Sequence, residues 1–194
     1  MQIRLARVAD SEALRAVYAQ YIDTSVTFEY ELPGEEAFAR RVGEILSFYP
    51  YLAAEENGRI VGYAYAHRCQ ERPAYQWNAE LSVYLERAQC GRGLGGTLYA
   101  ALLELLRLQG IRTVYGVVTS PNEPSERLHR SMGFRCAGVL RHAGYKCGAW
   151  HDVTWFEKSI APYGGHPAPP VPLSALGAEK LESVLLRCGG AAEP

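Results

Sequence analysis

Cys90-Gly91-Arg92-Gly93-Leu94-Gly95-Gly96-Thr97-Leu98 decides how this chain of 194 residues is read. It follows the strand-like run Leu81-Ser82-Val83-Tyr84-Leu85. It opens a run in which Leu94, Leu98, Ala101, Leu102, Leu105 and Leu108 recur at helical spacing. Glycines there let the backbone turn tightly and present successive N–H groups at the start of a helix, where the positive end of the dipole favours phosphate. Gly91, Gly93 and Gly96 fit G-x-G-x-x-G, the dinucleotide fingerprint of a Rossmann unit.

That reading makes demands the rest of the chain does not meet. A Rossmann phosphate loop follows the first strand of its domain, and an acidic residue ends the next strand. Here the loop lies mid-chain, after several strand-like segments. The next such run, Arg112 to Val118, continues into Thr119-Ser120-Pro121-Asn122, and the nearest acid, Glu123, lies beyond Pro121. The same glycines suit a loop that holds the pyrophosphate of coenzyme A, and the context favours that reading over a dinucleotide site.

The length suits one domain with a substantial core. Composition is globular, 48% apolar and 21% charged, and no apolar run is long enough to span a membrane. A formal net charge of -1 argues against a broad basic surface for nucleic acid, so any anion site is local. Met1-Gln2-Ile3-Arg4-Leu5 is strand-like and lacks an apolar signal core, so export is not expected. Cys69, Cys90, Cys136, Cys147 and Cys188 form no C-x-x-C pair. Neither zinc nor a disulfide framework is expected, and reduced thiols in a cytoplasmic protein fit better.

Ile3 and Leu5, extending towards Val8, alternate as a first strand. Asp10 is placed to cap a helix carrying Ala13, Leu14, Val17, Tyr18 and Tyr21 on one face. Glu35 to Phe48 reads as a second helix, stopped by Pro50. Tyr51 to Ala54 and Ile60 to His67 read as strands joined by the turn Glu56-Asn57-Gly58. Ala79 to Leu85 is a strand entering the glycine loop, and the helix after it stops at Gln109-Gly110. A strand over Arg112 to Val118, a short helix over Asn122 to Ser131, and strands over Phe134 to Leu140 and Thr154 to Ile160 complete a mixed α/β order. From Pro162 the chain turns rich in proline and glycine, as in a linker. Leu181, Val184, Leu185 and Cys188 then fall at helical spacing. A terminal helix docked on the body or on a partner chain, and a loosely held tail, both fit.

Glu80-Leu81-Ser82-Val83-Tyr84-Leu85 followed by Gly91-Arg92-Gly93-Leu94-Gly95-Gly96 resembles the core of a GCN5-related N-acetyltransferase. Ser120-Pro121-Asn122-Glu123-Pro124-Ser125, then Leu128-His129-Arg130-Ser131-Met132-Gly133-Phe134, extends the likeness. Gly144-Tyr145-Lys146 with Trp150-His151-Asp152-Val153 is similar to the phosphinothricin and methionine sulfoximine acetyltransferase branch. The likeness covers about residues 2–160. It implies an α/β (α+β) fold in which a mixed, mostly antiparallel sheet, flanked by helices, splays around acetyl-CoA. The domain is expected over residues 1–161, with residues 162–194 as a tail. A homodimer is implied, and neither metal, nucleic acid nor membrane is.

Moving an acetyl group from a thioester to an amine requires an uncharged amine, stabilisation of the carbonyl oxygen as charge develops, and accommodation of the departing thiolate. Glu80 is the candidate base, acting directly or through an ordered water, in a place where burial would raise its pKa. From the residues alone, a strand-end carboxylate paired with a cation reads better; the resemblance reverses that preference. Val83, Tyr84 and Leu85 are ordinary core-strand residues by pattern; the resemblance makes their free amides cofactor contacts, with Tyr84 as core packing or a pocket wall. Gly91 to Gly96 cradle the pyrophosphate, aided by Arg92 or Thr97. Cys90 stands where the family usually has Gln or Arg, which removes a side-chain contact and leaves the backbone donors. Asn122, a turn residue by pattern, resembles the asparagine that holds the pantetheine arm, and Ser131 is a further cofactor contact. His129 replaces the tyrosine many members carry as proton donor to the thiolate. Its ordinary pKa of about 6.5 lies near working pH, and a catalytic acid, a thiolate partner and a plain polar contact are its three readings.

For the acceptor, the resemblance points to Phe28 and to Arg72-Pro73-Ala74-Tyr75, with Arg72 suited to a carboxylate or phosphinate and Tyr75 to a hydroxyl contact or an aromatic wall. His67, His142 and His166 show no pattern, and His151-Asp152 reads as a hydrogen-bonded element of the last strands. The expected activity is acetyl transfer to the α-amine of a small amino acid or analogue in a ternary complex. Acetylation of a peptide N-terminus or polyamine, a non-catalytic acyl-CoA-binding module, and a nucleotide-dependent oxidoreductase are the alternatives.

Overall fold

Asn57 and Gly58 both take positive φ, 52° and 75°, the backbone that a two-residue turn needs to match the twist of the strands it joins. That turn sets strand β2 (Tyr51–Glu56) against strand β3 (Arg59–Arg68), with Glu56 opposite Arg59. A computed structural model of the chain describes residues 1–189, and residues 190–194 of the expected tail lie outside them. The remaining elements are strand β1 (Gln2–Leu5), helices α1 (Ser11–Ala19) and α2 (Glu35–Leu46), strand β4 (Asn78–Leu85) and helix α3 (Leu94–Gln109). Strand β5 (Thr113–Ser120), helix α4 (Glu123–Ser131), strands β6 (Arg135–Lys146) and β7 (Ala149–Ser159), and helix α5 (Ala178–Gly189) follow.

The strands form one sheet in the order β1-β2-β3-β4-β5-β7-β6. Every neighbouring pair is antiparallel except β4–β5. The parallel pair needs a crossover, and α3 supplies it. Strand alternation sorts the side chains into two cores. On one face Leu81 packs with the α3 residues Leu94, Leu98, Leu102 and Leu105. On the other, Tyr51, Tyr63 and Tyr84 pack beneath α1 and α2 through Leu14, Val17, Phe38 and Val42. Helix α3 is stopped by Gly110 at φ 95°, a backbone that side chains resist.

Several boundaries differ from the sequence reading. Val8 belongs to a 3₁₀ turn, not to β1. Asp10 does not cap α1 with its side chain; Arg4 takes it in a two-pronged ion pair at 2.7 and 3.0 Å. Tyr21 lies beyond α1, and its hydroxyl reaches the Leu85 carbonyl at 2.6 Å. Helix α2 ends at Leu46, before Phe48. The largest difference is in the last two strands, which run on into a long hairpin closed at Cys147 and Gly148, φ 51° and 75°. Lys-Cys-Gly-Ala lacks the Asn-Gly or Asp-Gly signature of such turns, and a register shift between Leu140 and Gly144 breaks the alternation.

Beyond β7 the described chain is docked. Indole Nε1 of Trp77 donates to the Ala168 carbonyl at 3.0 Å, and the buried Gln109 amide donates to the carbonyls of Phe48 and Val171 at 2.7 and 2.9 Å. Leu173, Leu176 and Val184 then join the α3 core, so α5 and the turn before it pack on the body of the domain.

Candidate active site

The β4–β5 ladder runs through Asn78–Thr113, Ala79–Val114 and Glu80–Tyr115 and stops at Leu81–Gly116. Past that rung β4 stays with β3, down to Gly62–Leu85, while β5 stays with β7, down to Ser120–Asp152. The two strands part, and a cavity opens between Ser82, Val83 and Tyr84 on one side and Val117, Val118 and Thr119 on the other. The Leu85 carbonyl takes the Tyr21 hydroxyl while the Glu86 amide goes to Val61 of β3. Backbone groups alternate along a strand, so the amides of Val83 and Leu85 face the open side. Tyr84 turns its own amide to β3 and lends its ring to the cavity wall.

At the same end of β4 the chain makes a short 3₁₀ turn, Arg87–Gln89, and enters the glycine segment. Gly91 and Gly93 adopt φ of 81° and 83°, and no side chain caps α3. The Thr97 amide is the first to close onto the helix, taking the Gly93 carbonyl at 3.2 Å. The amides of Leu94, Gly95 and Gly96 are thus left for an outside acceptor. A Cβ on Gly95 would lie 3.3 Å from Leu128, so its bareness also lets α4 approach α3. Arg92 is tied back to Gln89 and lies 4.0 Å from Glu56. The Thr97 hydroxyl bonds the Gly93 carbonyl at 3.3 Å. The Cys90 thiol is exposed, 3.8 Å from the Tyr21 hydroxyl.

Glu80 sits on the rung before the split, on the face that carries Ser82 and Tyr84. Burial pushes its carboxyl above the usual carboxylate range, and the nearby His67, 3.7 Å away, works in the opposite direction. His67 showed no pattern in the sequence; it faces Glu80 because the β3–β4 register sets the two opposite each other.

His129 is 2% exposed. It is stacked on Phe156 with ring centroids 5.1 Å apart, and it borders the cavity. Nδ1 lies 2.8 Å from the Ser125 carbonyl, which can only accept, so Nδ1 carries the proton. Burial lowers the pKa of the ring, outweighing the Ser125 bond. A neutral ring has one N–H, which leaves Nε2 as an acceptor facing the Tyr99 hydroxyl at a long 3.4 Å. The sequence suggested a histidine titrating near its ordinary value; its burial against Phe156 and Phe134 moves it away from that value. The role of Tyr99 was missed because position 99 reads simply as a buried helix residue.

Asn122 borders the cavity and also caps α4, accepting from the Ser125 amide at 3.3 Å. Ser131 lies apart from these residues. It is exposed at the end of α4, and its hydroxyl is given to the Leu128 carbonyl at 2.8 Å. Arg72, Pro73, Ala74 and Tyr75 form an exposed 3₁₀ turn before β4. Tyr75 is exposed and does not line the cavity. Phe28 is half-buried on the segment between α1 and α2, its ring against Gly144. His151 and Asp152 bond separately, to the Lys146 carbonyl at 2.9 Å and to Arg141 at 2.5 Å. His142 and His166 are exposed. Among the described residues no group of three or more His, Cys, Asp or Glu side chains is placed to hold a metal ion.

A parallel pair that parts beside a half-buried carboxylate, with unpaired helix amides at the same end, defines a class. The acetyltransferase (GNAT) domain family matches residues 3–155, and the chain belongs to this family of N-acetyltransferases. Phosphinothricin N-acetyltransferase of Streptomyces viridochromogenes is 38% identical over 89% of this chain and 93% of its own. The L-methionine sulfoximine/L-methionine sulfone acetyltransferase of Pseudomonas aeruginosa is 32% identical over 82% of this chain and 95% of its own. A GNAT superfamily phosphinothricin acetyltransferase from Sinorhizobium meliloti, solved in complex with acetyl-CoA, superposes with a TM-score of 0.83 at 30% identity, covering 87% of this chain and 94% of that one.

Proposed function

We propose that the chain transfers acetyl from acetyl-CoA to the α-amine of a small amino acid or analogue of the phosphinothricin or methionine sulfoximine type. The observation that carries the reading is the split of β4 from β5 next to a carboxylate whose pKa is raised. The free amides of Val83 and Leu85 and the uncapped start of α3 suit the pantetheine arm and pyrophosphate of acetyl-CoA. Asn122 and the Gly91–Gly96 turn, with Arg92 and Thr97 beside it, complete the set; Ser131 contributes through the end of α4, not as a wall of the cavity. Bound there, acetyl-CoA supplies the thioester carbonyl that an amine attacks.

Glu80 takes a proton from the amine, directly or through a water, so that a lone pair is available for attack. Its raised pKa makes it a better proton acceptor than an exposed carboxylate. The Val83 and Leu85 amides stabilise developing negative charge, since they are fixed by the sheet and need no reorganisation. His129, neutral with Nδ1 committed to Ser125, presents only a lone pair at Nε2 and so does not itself donate to the departing thiolate. It borders the cavity beside the Tyr99 hydroxyl, which is the hydrogen-bond donor to the sulfur, and the thiolate takes its proton from solvent. Phe28 and the Arg72–Tyr75 turn frame the acceptor. Arg72 answers an anionic group on it, and Tyr75 forms a wall.

The test is thiol release from acetyl-CoA with phosphinothricin, methionine sulfoximine, common amino acids, a short peptide and spermidine. Turnover is expected with the first two and not with spermidine. Preference for the peptide or the polyamine would reassign the acceptor, and acetyl-CoA bound without turnover of any amine would make the chain a binding module.

Residues 1–161 are read as the catalytic domain and the docked segment after them as its support. Five cysteines, all unpaired, support a reducing, cytoplasmic setting. A homodimer is supported by β6, an edge strand that with β7 exposes Leu140 (54%), Tyr145 (50%) and Trp150 (61%). Light scattering is expected to give twice the chain mass. A monomer at micromolar concentration would rule out the stable dimer.

A further inference from the structure

The segment between α1 and α2 crosses the split in the sheet and is fastened on both banks. On the β4 side the Tyr21 hydroxyl holds the Leu85 carbonyl, and Arg87 donates to the Gln20 carbonyl at 2.7 Å. On the far side it meets the β6–β7 hairpin. Lys146 Nζ donates to the Thr27 carbonyl at 2.6 Å, and the Tyr30 hydroxyl donates to the Tyr145 carbonyl at 2.6 Å. Strand β5 separates β4 from that hairpin in the sheet, and Val26, midway along, borders the cavity. On the inner side the Tyr18 hydroxyl lies 2.6 Å from the Thr27 hydroxyl and 2.8 Å from Glu29, which Arg41 holds at 2.6 Å.

Two features of this crossing are unusual. Lys146 is only 4% exposed, and a buried ammonium is tolerated only where something compensates it. Among the described residues its hydrogen-bond partner is the Thr27 carbonyl, one residue before Phe28, and the carboxylate of Glu29 on the same segment feels its charge. Gly144, two residues earlier on the same strand, has no room for a side chain, because a Cβ there would lie 2.4 Å from the Phe28 ring. The lysine and the glycine therefore fix the same aromatic ring, one from its backbone and one from its face.

We propose that Lys146 is a specificity-determining positioning residue. Its buried ammonium pins the α1–α2 segment across the mouth of the split and so sets which acceptor side chain fits beside Phe28. The inference rests on the acetyltransferase reading given above for the acceptor, while the pin itself is a property of the chain alone. Removing the ammonium frees Thr27 and lets Phe28 swing. Small displacements of a positioning group carry large costs in an oriented site. The loss falls on acceptors that use the ring and spares those too short to reach it.

The test compares Lys146→Met with the wild-type chain, using methionine sulfoximine and alanine as acceptors, together with amide hydrogen exchange over residues 20–30. For Lys146→Met the KM for methionine sulfoximine is expected to rise on the order of tenfold or more. The ratio of kcat/KM between the two acceptors falls, the KM for acetyl-CoA stays unchanged, and exchange over residues 20–30 quickens. Lys146→Arg, which keeps a donor, restores part of the selectivity. Gly144→Ala, which keeps the lysine and pushes the ring, shifts the same ratio. An unchanged acceptor ratio in both Lys146→Met and Gly144→Ala, or a loss shared equally with acetyl-CoA, overturns the proposal. If the wild-type chain turned over neither acceptor, the acceptor reading would fail first. Exchange would then judge the pin, and unchanged exchange in Lys146→Met would overturn it.

Discussion

Glu80→Gln is expected to lower kcat by about a hundredfold to ten-thousandfold, the range that general-base catalysis supplies, while the affinity for acetyl-CoA is unchanged. Glutamine keeps the shape and removes only the proton acceptor. The separation holds because the two jobs lie on different parts of β4: the carboxylate on the rung before the split, the open amides of Val83 and Leu85 after it. The pH dependence follows from the direction of the shift. A base works when ionised, so kcat/KM climbs with pH as Glu80 loses its proton. Because burial raises that pKa, the acid limb lies above the ordinary glutamate value of about 4.3. The variant loses this limb. A limb that persists in Glu80→Gln, or a variant within threefold of wild type, would remove Glu80 from the chemistry and leave it as the ion-pair partner of His67.

Gly116→Ala has the second largest effect, and it acts on stability and site together. A Cβ at position 116 would lie 2.0 Å from Nε2 of His129. The ring cannot step back, since it is stacked on Phe156, edged by Phe134 at 5.1 Å and tied to Ser125. Overpacking of this kind costs about 1–3 kcal/mol. For a chain of this size that lowers Tm by roughly 2–4 °C per kcal/mol. His129 is driven from its place beside the cavity, so acetyl-CoA binding also weakens. A variant that melts within about 1 °C of wild type and binds acetyl-CoA equally well would mean that the ring and β5 adjust freely, and that the fit between them is not what shapes the cavity.

The parts of the fold legible in the sequence are those fixed by local chemistry. Asn57-Gly58 announces its hairpin, Gly110 its helix stop, and the leucines from Leu94 to Leu105 the buried face of α3. Each signal lies within a few residues of its effect. What escaped the sequence depends on register between distant strands. His67 gains a meaning only when β3 sets it opposite Glu80, and Gly116 only when His129 arrives from α4. Tyr99 looks like one more apolar position in a leucine-rich helix until its hydroxyl is found beside the cavity. Nothing in Gly144-Tyr145-Lys146 says that the lysine is buried; its burial depends on Thr27 arriving from the α1–α2 segment. The hairpin that carries it extends beyond its sequence signal because its turn lacks the usual residues. The ends of the acceptor region, Arg72 to Tyr75 and Phe28, came from resemblance, and of these only Phe28 is held by packing in the structure.

The docking of α5 has a consequence for how the molecule comes into being. The helix lies against α3 and beside β1, with Val184 buried and Arg187 3.9 Å from Glu104. Strand β1 therefore leaves the ribosome long before the helix that packs beside it. Until residues 173–184 emerge, the outer flank of α3 has no cover, although every strand of the sheet has already been made. Contacts between segments far apart in sequence are slow to close. Nascent chains with uncovered apolar surface are the ones that aggregate. Vectorial synthesis thus gives this protein its split sheet before α3 is covered.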